Sequence, residues 1–154
     1  MMTLCSDVLK ALKGKTLATA ESCTGGGIGT AITAVAGASK VFVGGVISYT
    51  NDVKNRVLGV DQAVLDKYGA VSAPVAGAMA SGVRNLLQAD VAVSVTGLAG
   101  PGGDEFGNPV GTVFIGYEDK SRAVVKHCLF SGSREEIREQ TIVAALNLIL
   151  EMNK

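Results

Sequence analysis

Apolar positions in the first 35 residues change spacing twice. Leu4, Val8, Leu9 and Leu12 share one face of a helix. The run from Leu17 to Ala20 reads as a short strand, and a second set of apolar residues then returns at helical spacing, at Ile28, Ala31, Ile32 and Val35. This part of the chain is therefore predicted to form a helix, a strand and a helix.

The middle of the chain repeats this alternation. Val41–Tyr49 is predicted to be a strand covered on both faces, because apolar residues occupy both of its faces. Asn51 and Asp61 are predicted to cap two short helices, the second of which ends at Gly69. A longer helix begins at Ser72-Ala73-Pro74, and its apolar stripe is predicted to contain Val75, Met79, Val83, Leu86 and Leu87.

The last third changes from alternating elements to a hairpin. Asp90–Thr96 is predicted to be a strand, and a glycine-dense loop from Gly97 to Gly103 follows it. Val110–Tyr117 and Arg122–Phe130 then form a predicted hairpin. Ser133 and Glu136 have the spacing of a capping box that begins the final helix. This order predicts a single α/β domain over residues 1–154, a three-layer α/β/α sandwich with a mixed, mostly parallel five-stranded sheet.

Three predicted strand ends carry polar side chains. In such a sheet, ligands bind where loops leave the carboxyl ends of the strands. These ends carry Ser22, the segment from Tyr49 to Lys54, and the segment from Thr96 to Gly103. The stretch Thr16–Thr30 is the most suggestive, because a strand passes through small polar residues into a glycine-started helix. We expect the free N–H groups of that helix to face an anion or a developing oxyanion.

Composition narrows the class of protein. Fourteen basic and 14 acidic residues give a formal net charge of zero, and they are scattered, so nucleic-acid binding is not expected. No apolar run reaches the ~20 residues that span a bilayer. Three widely spaced cysteines argue against a disulfide framework and favour a reducing cytoplasm. With a single histidine, His127, no metal site is expected.

Dinucleotide and phosphate-loop motifs do not fit the glycine-rich turn. The glycines from Gly25 to Gly29 do not match the G-x-G-x-x-G spacing, and no P-loop lysine follows them. The spacing from Tyr49 to Lys54 is five, whereas the tyrosine–lysine pair of short-chain dehydrogenases requires four. These motifs are therefore excluded.

Several interpretations of the polar residues Ser22, Cys23 and Thr24 remain open from the sequence alone. Ser22 is either a nucleophile or a helix cap, and Thr24 could serve equally as the cap. Cys23 is an alternative nucleophile, but a Cys–His pair would depend on His127, which lies within a predicted strand. Lys54 is then the available base for Ser22, or else an ordinary solvated lysine.

Two arginines in the last predicted helix could influence the charge of Lys54 or bind a ligand. Arg134 and Arg138 lie one turn apart. A cation beside Lys54 would favour loss of its proton, and either guanidinium could instead hold a phosphate. As ordinary surface arginines they would need no special role.

Five ordered motifs, which cover nearly the whole chain, closely resemble the C-terminal domain of the competence/damage-inducible protein CinA. They are Ala20-Glu21-Ser22-Cys23-Thr24-Gly25-Gly26, Ser48-Tyr49-Thr50-Asn51 with Lys54, Gly69-Ala70-Val71-Ser72, Thr96-Gly97-Leu98-Ala99-Gly100-Pro101 and Pro109-Val110-Gly111-Thr112-Val113. Stand-alone members of this family are nicotinamide-nucleotide amidohydrolases. Larger members carry an additional N-terminal nucleotide-processing domain, for which 154 residues leave no room.

The resemblance implies that nicotinamide mononucleotide is deamidated to nicotinate mononucleotide and ammonia, without a metal or other cofactor. It assigns Ser22 as nucleophile, Lys54 as base, Tyr49 and Thr96 as polar residues of the catalytic site, and Arg138 as a family arginine. We expect N–H groups of the Cys23–Gly25 turn to hold the oxyanion. The glycine loop and an arginine are expected to bind the phosphate, and Tyr49 to stack on the pyridinium ring. The predicted substrate-binding set is Cys23, Thr24, Gly25, Gly26, Asn51, Gly97, Gly100 and Arg138.

Two other functions stay open at this stage. One is a non-catalytic nucleotide-binding or regulatory module linked to competence or DNA damage, in which Ser22 is only a cap. The other is an amidase for a different small amide. In each case we expect a cytoplasmic protein that forms a homodimer or a higher homo-oligomer and contacts neither nucleic acid nor membrane.

Overall fold

The computed structural model describes residues 1–154 and contains six α-helices and five strands in the predicted order. The helices are α1 (Met2–Ala11), α2 (Gly27–Thr33), α3 (Asn51–Arg56), α4 (Gln62–Tyr68), α5 (Ala73–Leu87) and α6 (Arg134–Met152). The strands are β1 (Leu17–Glu21), β2 (Phe42–Ile47), β3 (Val91–Gly97), β4 (Thr112–Asp119) and β5 (Ala123–Leu129). A 3₁₀ turn at Ala38–Lys40 precedes β2. No helix is both long and apolar enough to cross a membrane.

The five strands form one mixed sheet in the order β2-β1-β3-β4-β5, which confirms the predicted sheet. Strands β2, β1 and β3 are parallel, whereas β4 and β5 add as an antiparallel hairpin. Because parallel strands end at the same edge of a sheet, the segments after β1, β2 and β3 lie together. These segments begin with Ser22, Ser48 and Leu98.

Helices cover both faces of the sheet, so the fold has the three predicted layers. On one face, α2 and α6 pack on β1, β3 and β4, where Leu17, Val93 and Ile115 are fully buried, and α1 packs against these two helices. On the other face, α5 packs against Ala18 and Ala92 of β1 and β3. Successive strand residues point to opposite faces, and this alternation is why Leu17 and Ala18 belong to different cores.

Strand β2 differs from its prediction. It was expected to be covered on both faces, but Val43, Gly45 and Ile47 are exposed while the residues between them are half-buried. The reason is topological, because β2 is an edge strand of the sheet. A long apolar run therefore did not mark a central strand here.

Two smaller corrections concern helix ends and faces. Leu86 was placed in the apolar stripe of α5, but it is exposed near the end of the helix. Asn51 was expected to cap α3, yet Thr50 is the cap: its hydroxyl oxygen accepts a hydrogen bond from the Val53 N–H at 3.3 Å. The caps predicted at Asp61 and at the Ser133–Glu136 capping box are confirmed.

Helix α5 makes a close approach to the segment that follows α3. A Cβ atom at Gly82 would lie 2.0 Å from the carbonyl oxygen of Leu58. That segment turns back on α3, because the Val60 N–H donates to the carbonyl oxygen of Lys54 at 3.0 Å. The absence of a side chain at Gly82 therefore lets α5 support the helix that carries Lys54.

We predict opposite effects for two glycine-to-alanine substitutions in α5. Gly82→Ala should lower the free energy of unfolding by about 2 kcal/mol, because the new methyl meets backbone that cannot yield easily. Gly77→Ala is the control, because its Cβ would make an ordinary 3.6 Å contact with Val125. It should raise stability by up to about 1 kcal/mol through helix propensity. Chemical denaturation measures both, and equal effects would contradict the close approach.

Candidate active site

A lysine and a serine from different strand ends meet in the interior. Ser22 immediately follows β1 and is 7% exposed, and Lys54 lies on α3 and is 1% exposed. The Nζ atom of Lys54 lies 2.9 Å from Oγ of Ser22, within hydrogen-bond distance. A contact of this length allows a proton to pass between the two groups.

Backbone oxygens hold the rest of the lysine amine. Nζ of Lys54 donates to the carbonyl oxygen of Ser48 at 2.6 Å and, more weakly, to that of Tyr49 at 3.4 Å. Ser48 is itself fastened to β1, because its N–H donates to the carbonyl oxygen of Glu21 at 2.7 Å. When the amine is neutral, its two N–H groups can serve these carbonyls and its lone pair faces the Ser22 hydroxyl.

Burial sets the protonation of this pair. Removal from water lowers the pKa of Lys54 from 10.5 to about 8, because the charged ammonium loses its hydration. Burial also raises the pKa of the neighbouring Cys23 thiol to about 11, which keeps it protonated near neutral pH. Lys54 is thus close to a working base, whereas Cys23 is a poor nucleophile.

The histidine needed for a Cys–His pair or a Ser–His–Asp triad lies elsewhere. His127 is an exposed residue of β5 and stacks on Phe114, with ring centroids 4.5 Å apart. Because β3 and β4 lie between β5 and β1, the strand that precedes Ser22, His127 does not reach Ser22. The one basic side chain in contact with Ser22 is Lys54.

The dyad opens into a cavity of about 290 Å³. Its charged lining residues are both cations, Lys54 and Arg134, and no carboxylate lines it. The lining residues are Ser22, Cys23, Tyr49, Lys54, Ala70, Val71, Thr96, Gly97, Leu98, Ala99, Gly100, Gly102 and Arg134. Thr96 is buried, and its hydroxyl donates to the carbonyl oxygen of Ala70 at 2.8 Å. The cavity is therefore suited to a small ligand that carries negative charge.

The structure brings most of the residues selected from the sequence to this cavity. Ser22, Lys54, Tyr49, Thr96, Cys23, Gly97 and Gly100 all line it. Asn51 instead lines a neighbouring cavity of about 460 Å³. Thr24, Gly25 and Gly26 form the turn behind Ser22 without lining the cavity. A side chain at Gly26 would meet Ile47 at 3.0 Å.

Arg138 lies on the far side of the turn from the cavity. Its guanidinium donates to the carbonyl oxygens of Cys23 and Thr24, each at 3.1 Å. The arginine in the cavity is Arg134, which donates to the Gly100 carbonyl oxygen and approaches the Tyr49 hydroxyl at 3.4 Å. The two arginines are one turn apart, so spacing alone could not show which of them reaches the ligand.

The expectation that the start of α2 offers free N–H groups to an anion is wrong. The side chain of Glu21 already occupies this position, because it accepts from the N–H groups of Ile28 at 2.9 Å and Gly29 at 3.0 Å. The Gly25 N–H donates to the carbonyl oxygen of Ser22 at 3.1 Å and is also engaged. In the turn beside Ser22, the N–H groups of Cys23, Thr24 and Gly26 donate to no backbone oxygen.

No group of three or more His, Cys, Asp and Glu side chains is arranged to hold a metal ion. The side chains that line the cavity offer hydroxyls, a thiol, an amine and a guanidinium.

Comparison with known families agrees with the motifs around this site. The model of the CinA C-terminal domain matches residues 1–153. The chain belongs to the CinA C-terminal domain family. Sequence relatives include a CinA-like protein of Geobacter sulfurreducens, which is 50% identical over 135 residues, or 88% of this chain and 33% of that protein. The chain thus spans about a third of the length of the curated relatives it matches.

Solved structures of CinA-family proteins have the same fold at a similar length. The competence/damage-inducible protein CihA of Agrobacterium tumefaciens superposes with a TM-score of 0.95 at 37% identity, covering 99% of this chain and 95% of that one. Competence damage-inducible protein A of Klebsiella pneumoniae also gives 0.95, at 35% identity, covering 97% and 94%. These likenesses support the CinA-family fold over nearly the whole chain.

Proposed function

We propose that this chain hydrolyses the carboxamide of nicotinamide mononucleotide to give nicotinate mononucleotide and ammonia. The observation that carries the proposal is the 2.9 Å contact between Nζ of Lys54 and Oγ of Ser22 inside a cavity that Arg134 lines and no carboxylate lines. A buried amine of lowered pKa beside a hydroxyl is the arrangement that activates serine without histidine. The family membership supports the choice of a nicotinamide nucleotide as substrate.

The first half of the reaction forms an acyl-enzyme. Neutral Lys54 takes the proton of the Ser22 hydroxyl, and Oγ attacks the carboxamide carbon. The N–H groups of Cys23 and Thr24 are the donors closest in sequence to the nucleophile that are free to meet the oxyanion. One well-placed donor of this kind contributes roughly 3 kcal/mol to transition-state stabilisation. The Lys54 ammonium then protonates the leaving nitrogen, the C–N bond breaks, and ammonia departs.

The second half returns the enzyme to its starting state. Lys54 is neutral again and takes a proton from water, whose oxygen attacks the ester carbon of acyl-Ser22. The ester C–O bond breaks, the proton returns to Oγ, and nicotinate mononucleotide leaves. The proton taken from Ser22 leaves in ammonia and is replaced by one from water, so Lys54 ends the cycle neutral, as it began.

The cavity also has features that suit the rest of the substrate. Arg134 lines the cavity and is the proposed partner of the 5′-phosphate, and the lining has no carboxylate that would repel it. Tyr49, whose side chain is largely exposed at the cavity, offers an aromatic face to the pyridinium ring. The substrate would then lie with its carboxamide at Ser22 and its phosphate near Gly100 and Arg134.

Ammonia release from nicotinamide mononucleotide tests the proposal. We expect activity in the wild type and a loss of at least about 1,000-fold in Ser22→Ala and Lys54→Ala, both checked for folding by circular dichroism. Because the neutral amine is the base, kcat/KM should rise with pH through a midpoint near the pKa of Lys54, about 8. An inactive wild type would favour a binding module, and full activity in Ser22→Ala would rule out Ser22 as the nucleophile. Activity on another small carboxamide alone would point to a different amidase.

A second prediction concerns the phosphate. Arg134→Ala should raise KM for nicotinamide mononucleotide by about 10- to 100-fold, the range expected for a lost charged hydrogen bond. It should raise KM for nicotinamide riboside, which has no phosphate, by less than about threefold. Arg134→Lys keeps the charge and should fall between the wild type and the alanine variant. Equal losses with both substrates would show that Arg134 supports the loop at Gly100 rather than the phosphate.

A further inference from the structure

We propose that Glu21 is a positioning residue that holds the turn carrying Ser22 in its reactive geometry. This inference rests on the proposed role of Ser22 as a nucleophile. Glu21 is the last residue of β1, directly before Ser22, and its side chain lies on the α2 side of the sheet rather than in the cavity. Any effect of its side chain on the reaction is therefore indirect.

The contacts of Glu21 are unusually complete for a carboxyl group that is 2% exposed. Oε1 accepts from the Thr24 hydroxyl at 2.5 Å and from the Ile28 N–H at 2.9 Å, and Oε2 accepts from the Gly29 N–H at 3.0 Å. One side chain thus ties the turn after Ser22 to the first turn of α2. All three partners are donors, so the site requires a group that only accepts.

Arg138 completes this restraint from α6. Its guanidinium binds the carbonyl oxygens of Cys23 and Thr24, while the Glu21 carboxylate binds the hydroxyl of Thr24. Thr24 is consequently fully buried and held by groups of opposite charge on its side chain and its backbone. With the Ile28 and Gly29 N–H groups and the carbonyls of the turn engaged in this way, the N–H groups of the two residues after Ser22, Cys23 and Thr24, donate to no backbone oxygen.

The main chain of Glu21 links the same turn to the base. Its carbonyl oxygen accepts from both the N–H and the hydroxyl of Ser48, at 2.7 and 3.3 Å, and the Ser48 carbonyl in turn receives Nζ of Lys54. Substitution of the side chain leaves this backbone link in place. A side-chain variant therefore separates the orientation of Ser22 from the position of Lys54.

Glutamine is the informative substitution at this position. Glu21→Gln keeps the volume and one acceptor oxygen, but it places an NH₂ group against the N–H of Gly29 or against the donors at Oε1. The turn must shift to relieve this contact. Because a displacement of about 1 Å can cost 100-fold in rate, we expect the reactivity of Ser22 to fall by about 10- to 100-fold.

The test measures the rate at which diisopropyl fluorophosphate labels Ser22, with the site confirmed by mass spectrometry and Ser22→Ala as the blank. The rate is followed from pH 6 to 10 in the wild type, Glu21→Gln, Thr24→Val and Thr24→Ser. Glu118→Gln is the matched control for loss of a partly buried carboxylate. Glu118 lies on β4, does not line the cavity, and pairs with Arg84 of α5 at 3.3 Å. Thermal melting sets an assay temperature at which each variant is folded.

The predicted result is a lower plateau rate in Glu21→Gln with an unchanged pH midpoint. Thr24→Val should also be slowed, and Thr24→Ser, which keeps the donor, should retain more of the rate. Glu118→Gln should label like the wild type. If Glu21→Gln does not fold, Thr24→Val decides, because it removes one contact and leaves the carboxylate bound to α2.

Three results would overturn the inference: an unchanged plateau in the folded variants, a shifted midpoint, or no labelling of Ser22 in the wild type. A shifted midpoint would mean that Glu21 acts on the charge of Lys54. Lys54, Arg138 and Glu21 are the charged groups that act on Cys23 in this turn. Wild-type protein that is labelled at Ser22 but releases no ammonia from nicotinamide mononucleotide would refute the proposed substrate and leave the role of Glu21 standing.

Discussion

Burial of one amine beside one hydroxyl is the interaction on which the account of this protein depends. An ammonium group removed from water is costly, and Lys54 meets that cost partly through the carbonyl oxygens of Ser48 and Tyr49 and partly through a lowered pKa. The neutral form that burial favours is also the form that can accept a proton from Ser22. The same desolvation that disfavours a buried lysine thus prepares it as a base.

The fold brings the pair together through its parallel half. Ser22 follows β1, and Lys54 lies on the short helix after β2, so the register between these two strands sets their separation. Support comes from each side: Glu21 joins the turn to α2, Arg138 joins it to α6, and α5 packs against the segment that follows α3. Elements far apart in the chain therefore converge on one contact of 2.9 Å.

Much of this arrangement could be predicted from the sequence, and the parts that could not have physical reasons. Alternating apolar patterns gave the element order, and the rule for parallel strands placed Ser22 and Lys54 at one edge. The edge position of β2 could not be predicted from Val41–Tyr49, because an apolar run indicates that side chains can be buried and does not indicate which strands lie beside it. Helical spacing identified Arg134 and Arg138 together, but only tertiary packing separates the cavity arginine from the one that binds the turn. Glu21 was missed because a free helix N-terminus and one filled by a carboxylate look the same until the fold is known.

Titration of the Lys54 amine is the decisive experiment, because its pKa determines whether it is a base near neutral pH. Nuclear magnetic resonance of protein labelled with ¹³C at lysine Cε, with Lys54→Met used to assign the signal, would follow its chemical shift from pH 6 to 11. We expect a midpoint near the pKa of about 8 in the wild type. A midpoint above about 10, the range of a solvated lysine, would contradict the claim that Lys54 is the base for Ser22.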